Sequence, residues 1–151
     1  MRISKKLSVL YGLLFCSVAF GAPTESNLEV NKNLVQSFYE LAFNQHKPTE
    51  AVRKYIGDKY IQHNPHLPDG GAIFANYFEG FFKEHPNSSV AIKRVIAEGD
   101  LVILHLHSKA DANDRGRAVV DIFRVENGKI VEHWDVAQDI PETAAISNTM
   151  F

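Results

Sequence analysis

The stretch VVDIFRVENGKIVEHWDV, residues 119–136, decides the fold. Two runs rich in β-branched and aromatic residues flank Asn127-Gly128, the pair that favours a two-residue hairpin turn. The first run also carries a carboxylate, Asp121, among apolar neighbours. A carboxylate inside a protein is costly to desolvate, so it is neutralised, paired or put to chemical use. With a plain two-residue turn, Glu126 faces Lys129, Phe123 faces Glu132 and Asp121 faces Trp134. One face then holds Asp121, Phe123, Val125, Ile130, Glu132 and Trp134. The other holds Ile122, Arg124, Val131, His133 and Asp135. Both faces are partly apolar, as in a sheet packed on helices by one face and on a second subunit by the other. We place the Asp121 and Trp134 face inside a cleft, where flanking rings raise the pKa of the carboxyl. A bulge at the turn would reverse the assignment, expose Asp121, and line the cleft with His133, Asp135 and Arg124.

Working outward, two more strand runs, VAIKRVIA (90–97) and LVILHLHSKA (101–110), flank Glu98-Gly99-Asp100. Upstream, Val30, Leu34, Val35, Phe38, Leu41 and Ala42 recur at helical spacing and predict a helix over 28–45. A short second helix is expected with Thr49 as its N-cap, running to about Ile56 and stopped by Gly57. Pro68-Asp69-Gly70 announces a third. Its pairs Ile73-Phe74, Tyr77-Phe78 and Phe81-Phe82 repeat every four residues and form an aromatic face, read as packing against a sheet rather than as a cofactor stack. Helices first and an antiparallel meander after define an α+β domain, with helices covering one face of a curved sheet.

The first 21 residues have a basic start (Arg2, Lys5, Lys6), an apolar run from Leu7 to Phe20, and then Gly21 before Ala22 and Pro23. That order predicts a signal peptide cut after Gly21, because the apolar run is shorter than the ~20 residues of a spanning helix. Lipidation at Cys16 is disfavoured by Phe15, where a small side chain is needed. The expected organisation is a signal peptide over 1–21, a flexible start over 22–27, an α+β domain over 28–140 and a tail over 141–151. Cleavage removes the only cysteine, so neither a disulfide nor thiol chemistry is expected. It also removes three of the 16 basic residues and none of the 18 acids, taking the net charge from −2 to −5. An acidic chain of this kind lacks the clustered basic footprint of a nucleic-acid binder. The expected protein is exported, periplasmic or secreted, with no stable membrane anchor after cleavage.

Candidate chemistry lies in three places. His105 and His107 share one face of their strand, and such an H-x-H could give two metal ligands, with His63 or His133 as a third. They are read instead as hydrogen-bonded polar side chains, and no metal or other cofactor is expected. In DKYIQHNPHLPDGG (58–71) a short extended piece meets a proline-bounded loop; His63 shares a side with Ile61, while Gln62 and Asn64 lie on the other. Amide and imidazole groups beside the mouth of a sheet can bind the polar end of a substrate. The third place is Asp121 itself.

The succession of a YIQHNP element, an aromatic helix and the terminal DIFRVENGKIVEHWDV hairpin resembles the SnoaL-like polyketide cyclase branch of the nuclear transport factor 2-like superfamily, especially its predicted aldol-condensing members. The resemblance covers about Leu28 to Gln138. It implies a cone of about three N-terminal helices wrapped by a curved, mostly antiparallel sheet, with a deep pocket and frequent dimerisation through the outer sheet face. It implies that Asp121 is the acid/base, that His63 is the pocket histidine of the H-N-P element, and that Trp134 lies in the E-H-W segment. The hypothesis is cofactor-independent acid/base catalysis on a small hydrophobic carbonyl compound. Asp121 would remove a proton next to the carbonyl, and His63 or His105 would hydrogen-bond the enolate oxygen. Substrate-binding positions are Tyr60, Gln62 and Asn64 on the loop side, with Phe78, His107, Phe123 and Trp134 around them. The alternative is a non-catalytic small-molecule-binding or dimeric interaction module on the same fold, since fold alone does not dictate activity.

Overall fold

The computed structural model describes residues 25–151. Helix α1 (Glu25–Tyr39) runs directly into a π-helical turn, Glu40–Asn44. It therefore begins three residues earlier than the periodicity indicates, and Glu25 to Asn27 are helical rather than frayed. The π turn is marked by Gln45 N–H donating to Glu40 O at 3.0 Å and Lys47 N–H to Leu41 O at 3.1 Å. One extra residue per turn re-aims the side chains that follow. Phe38, Tyr39, Leu41 and Ala42 are all buried, and Phe43 reaches the interior cavity.

Helix α2 (Pro48–Tyr55) starts on a proline, whose missing N–H costs nothing in a first turn. Thr49 is not its cap: the cap position is Lys47, without a side-chain hydrogen bond, and the Thr49 hydroxyl donates to Glu79 on α3. Gly57 lies inside strand β1 (Ile56–Gln62) rather than closing the helix. A Cβ on Gly57 would sit 3.1 Å from Val131 Cγ1, a tight contact that the valine side chain would have to yield to. Helix α3 (Gly71–Glu84) buries Phe74, Ala75 and Phe82 and leaves Ile73 and Tyr77 exposed.

Strands β2 (Ser89–Glu98), β3 (Leu101–Lys109), β4 (Arg117–Glu126) and β5 (Lys129–Asp139) form an antiparallel meander, and β1 joins its far edge parallel to β5. The sheet order is β1-β5-β4-β3-β2, a curved mixed sheet carrying the helices on one face. Alternation sets the inner face: Val102, Leu104 and Leu106 of β3 and Asp121, Phe123 and Val125 of β4 are buried. Phe38 anchors the core, with its ring centroid 5.6 Å from Phe74 and 6.0 Å from Phe123.

The hairpin departs from the plain two-residue arithmetic in one step. Asn127 and Gly128 have φ of 50° and 72°, the left-handed pair that a twisted hairpin turn requires. Glu126 pairs with Lys129 and Val125 with Ile130, but Arg124 pairs with Glu132, so Val131 is an extra, bulged residue. From there Phe123 faces His133, Ile122 faces Trp134 and Asp121 faces Asp135. The bulge reverses the parity of β5 alone. Asp121 stays inside at 2% exposure, His133 and Asp135 join it, and Glu132 and Trp134 turn outward with Arg124.

Candidate functional site

A cavity of about 410 Å³ lies between the helices and the inner face of the sheet. Much of its wall is aromatic: Phe38, Phe43, Phe74, Phe78 and Phe123 contribute rings. Its polar wall comes from β1 and the loop after it, and from β4 and β5. An apolar chamber with a few converging polar groups is the usual form of a small-molecule site.

The polar wall follows from strand alternation and the bulge together. Tyr60 and Gln62 point inward from β1, Asn64 continues that side, and Gln62 lies in register with His133. Gln62 Oε1 accepts from Asn64 N–H at 2.9 Å and lies 2.8 Å from His133 Nδ1. Asn64 Oδ1 accepts from His66 N–H at 2.8 Å, while its Nδ2 donates to Asp135 Oδ2 at 2.6 Å. On the other side of the imidazole, His133 Nε2 is 3.3 Å from Asp121 Oδ1.

Burial pushes the Asp121 carboxyl above the usual carboxylate range, and the charge of Asp135 adds to the shift; the hydrogen bond and charge of His133 work against it. The Tyr60 hydroxyl is buried and has no hydrogen-bond partner among the described residues. Burial, and then the nearby charge of Asp135, raise its pKa, while the neighbouring Gln62 amide opposes them.

Asp121, Tyr60, Gln62, Asn64, Phe78 and Phe123 thus sit on the cavity wall, where the sequence places them. Four other candidates do not. His63 lies on the outer side of β1, stacked on Trp134 with centroids 4.6 Å apart, its Nε2 2.9 Å from Glu132 Oε1. Arg124 completes that outer cluster, donating to Glu132 Oε2 at 2.9 Å and to Asp100 Oδ2 at 2.7 Å. Arg124 and His63 lower the Glu132 pKa, chiefly through their hydrogen bonds to it. His105 and His107 lie on the face opposite Leu104 and Leu106, beside the Phe151 ring, with His105 Nδ1 2.9 Å from Arg94 Nη1 and His107 Nε2 2.7 Å from Arg115 O. Neither His63 nor His105 is therefore in reach of Asp121, and the reason is parity: each is one residue out of step with the inward positions.

His133 and Asp135 are the site residues that the plain-turn reading missed. Their signal is the charge pattern, since only with one extra residue in β5 does Arg124 come opposite Glu132 instead of Val131. Among the described residues, Asp121, His133 and Asp135 also form a group whose ligand atoms lie within 4.8 Å of one another, the spacing of a cation site. Both imidazole nitrogens are engaged, Nδ1 by Gln62 and Nε2 by Asp121, and Asn64 donates to Asp135, so we read the group as a proton site.

Three helices on a curved mixed sheet, with a buried acid and an imidazole on the wall of an aromatic cavity, define an α+β cone protein with an interior pocket. The chain belongs to the SnoaL-like polyketide cyclase family, whose description matches residues 33–146. Its fold is similar to that of a candidate polyketide cyclase from Bacillus cereus ATCC 10987, with 22% identity over 76% of this chain and 78% of that one and a TM-score of 0.64. A candidate SnoaL-like polyketide cyclase from Jannaschia sp. CCS1 is similar at 17% identity over 78% and 91% of the two chains, with a TM-score of 0.61. A nuclear transport factor 2-like protein of unknown function from Cytophaga hutchinsonii ATCC 33406 gives 16%, 72% and 89%, and 0.59. No curated protein sequence matches the chain.

Proposed function

We propose that this protein binds a small hydrophobic carbonyl compound in the aromatic cavity and moves a proton at the carbon next to the carbonyl. The observation that carries the reading is Asp121, a buried carboxyl on the cavity wall whose Oδ1 faces His133 Nε2. Its Oδ2 has no hydrogen-bond partner among the described residues, which leaves an oxygen for substrate. With Asp121 ionised, the C–H bond breaks, the proton passes to that oxygen, and the electron pair moves to the carbonyl oxygen as an enolate. The Tyr60 hydroxyl, buried without a partner among the described residues, donates to the enolate oxygen in place of His63 or His105. Aldol condensation with ring closure, dehydration and isomerisation all start from this one intermediate, and no cofactor enters the step.

Family membership supports cyclase-type chemistry, and the basic, apolar, small-residue order of the N-terminus supports export. A homodimer through the outer sheet face is supported by Val136, 69% exposed beside Val120 and Ile122. The direct test is deuterium exchange at the α-carbon of aromatic and cyclic ketones in D2O, followed by NMR. Asp121→Asn should lower the exchange rate by on the order of 10² or more, as loss of a positioned acid/base does. Equal rates for parent and variant would favour the non-catalytic binding module instead.

A further inference from the structure

We infer that Gln62 is a positioning residue: its amide oxygen holds His133 in the Nδ1–H form and leaves Nε2 and Asp121 to share one proton at the cavity wall. The orientation of the Gln62 amide follows from its neighbours. Asn64 N–H, 2.9 Å away, requires an acceptor, so the atom facing it is the oxygen and not the NH2 group. The same oxygen lies 2.8 Å from His133 Nδ1, and an amide oxygen can only accept, so Nδ1 carries a hydrogen. Asn64 is fixed in the same way. Its Oδ1 accepts from His66 N–H, which turns its NH2 group onto Asp135 Oδ2 and makes Asp135 an acceptor.

Two amide side chains, each oriented by a backbone N–H of the loop 62–66, thereby assign the hydrogens of two residues on the neighbouring strand. The remaining contact, His133 Nε2 to Asp121 Oδ1 at 3.3 Å, then holds a single proton. It sits on Asp121 beside a neutral imidazole, or on Nε2 beside a carboxylate. The pair is net neutral either way. Asp121 can therefore become a base without adding net charge to an apolar cavity, where an unpaired charge would be costly. A neutral imidazole in water prefers the opposite, Nε2–H form, so the contact with Gln62 decides the tautomer. Asp135 on β5 stands opposite Asp121, Tyr60 on β1 lies beside His133 with ring centroids 6.5 Å apart, and the apolar Leu104 of β3 pairs with Asp121 from the other side, while Tyr39, Lys109 and Asp114 line the same cavity. Arg117, four residues along β4, is paired with Asp139.

The test is long-range 1H–15N NMR of the histidine rings in the folded protein without substrate, for the parent, Gln62→Met and Gln62→Glu. The parent should show Nδ1 protonated at every pH at which it is folded, with one titration step belonging to Nε2 and Asp121. Gln62→Met removes the acceptor at similar volume, and its neutral His133 should shift to the Nε2–H form. Gln62→Glu keeps an acceptor oxygen, so Nδ1–H should persist while the midpoint of the pair rises by about one pH unit. An Nε2–H neutral form in the parent, a Met variant like the parent, or an unmoved midpoint in the Glu variant would each overturn the assignment. If the Met variant fails to fold, the parent and the Glu variant still decide it. The assignment bears on the proposed catalysis only through its consequence for Asp121, and the readout needs no turnover, so an inactive protein with the expected tautomer and an active one without it are distinguishable.

Discussion

Asp121 stands directly opposite Asp135 in the β4–β5 ladder, and both carboxylates line the same cavity. Two like charges in those positions would repel, and the structure separates their roles by giving each a different partner. Asn64 donates to Asp135, while Asp121 meets only the imidazole of His133. The first is held as an acceptor, and the second is left able to gain or lose a proton.

The pH dependence of stability follows with a definite sign. A carboxyl whose pKa is raised on folding binds its proton more tightly in the folded state, so its contribution is full below the unfolded value of about 3.9 and is lost as pH rises through the folded value. Asp121→Asn resembles the protonated acid and can donate to His133 Nε2. Near neutral pH it should be as stable as the parent or more stable, by on the order of 1 kcal/mol, with the difference vanishing below about pH 4. Urea titrations at several pH values check this, and a variant that loses stability relative to the parent as pH rises would contradict it.

The outer histidines should be dispensable for chemistry. His63→Ala removes the stack on Trp134 and the bond to Glu132 and should cost about 1 kcal/mol of stability. For both His63→Ala and His105→Ala, the ketone exchange rate should fall less than about threefold, against the 10² or more expected at a proton-transfer residue.

Deleting Val131 removes the bulged residue and keeps the pairing, since Ile130 still meets Val125 and the next residue, Glu132, still meets Arg124. His133 and Asp135 therefore stay on the cavity side, and the expected loss of stability is about 1 kcal/mol. A deletion variant that unfolds, or whose histidine NMR spectrum shows His133 released to solvent, would contradict this.

Two rings of the cavity wall differ in burial. Phe38 is fully buried among Tyr39, Phe43, Tyr55, Phe74 and Phe123, and Phe38→Ala should cost about 3–5 kcal/mol. Phe78 is only partly buried on the cavity wall, so Phe78→Ala should cost roughly half as much while enlarging the chamber. Thermal denaturation gives the first quantity, and binding of an aromatic ketone series, with larger members gaining in the variant, gives the second.

Intact-mass measurement on protein recovered from the exported fraction should give a chain beginning at Ala22. Retention of residues 1–21, which lie outside the described structure, or a lipid on Cys16, would refute export by cleavage after Gly21.

Local patterns determined a great deal here. Helical spacing, the Asn127-Gly128 turn and period-2 alternation are written within a few residues of one another, so the α+β order and the meander were legible from the chain. That Gln62 and Asn64 lie on the other side from His63 follows from that alternation, whereas the inward placing of Asp121 rests on its apolar flanks and on the family resemblance. The partner of Asp121 was not legible. It depends on whether one residue, Val131, is absorbed by a bulge, and that choice is made by contacts far apart in sequence: Arg124 with Glu132, His63 on Trp134, and the room left by Gly57 for the Val131 side chain. A strand has a side-chain period of two, so one extra residue exchanges its faces completely. Only the assembled sheet, by weighing a buried Glu132 against an outer ion pair, decided that His133 and not Trp134 meets the acid.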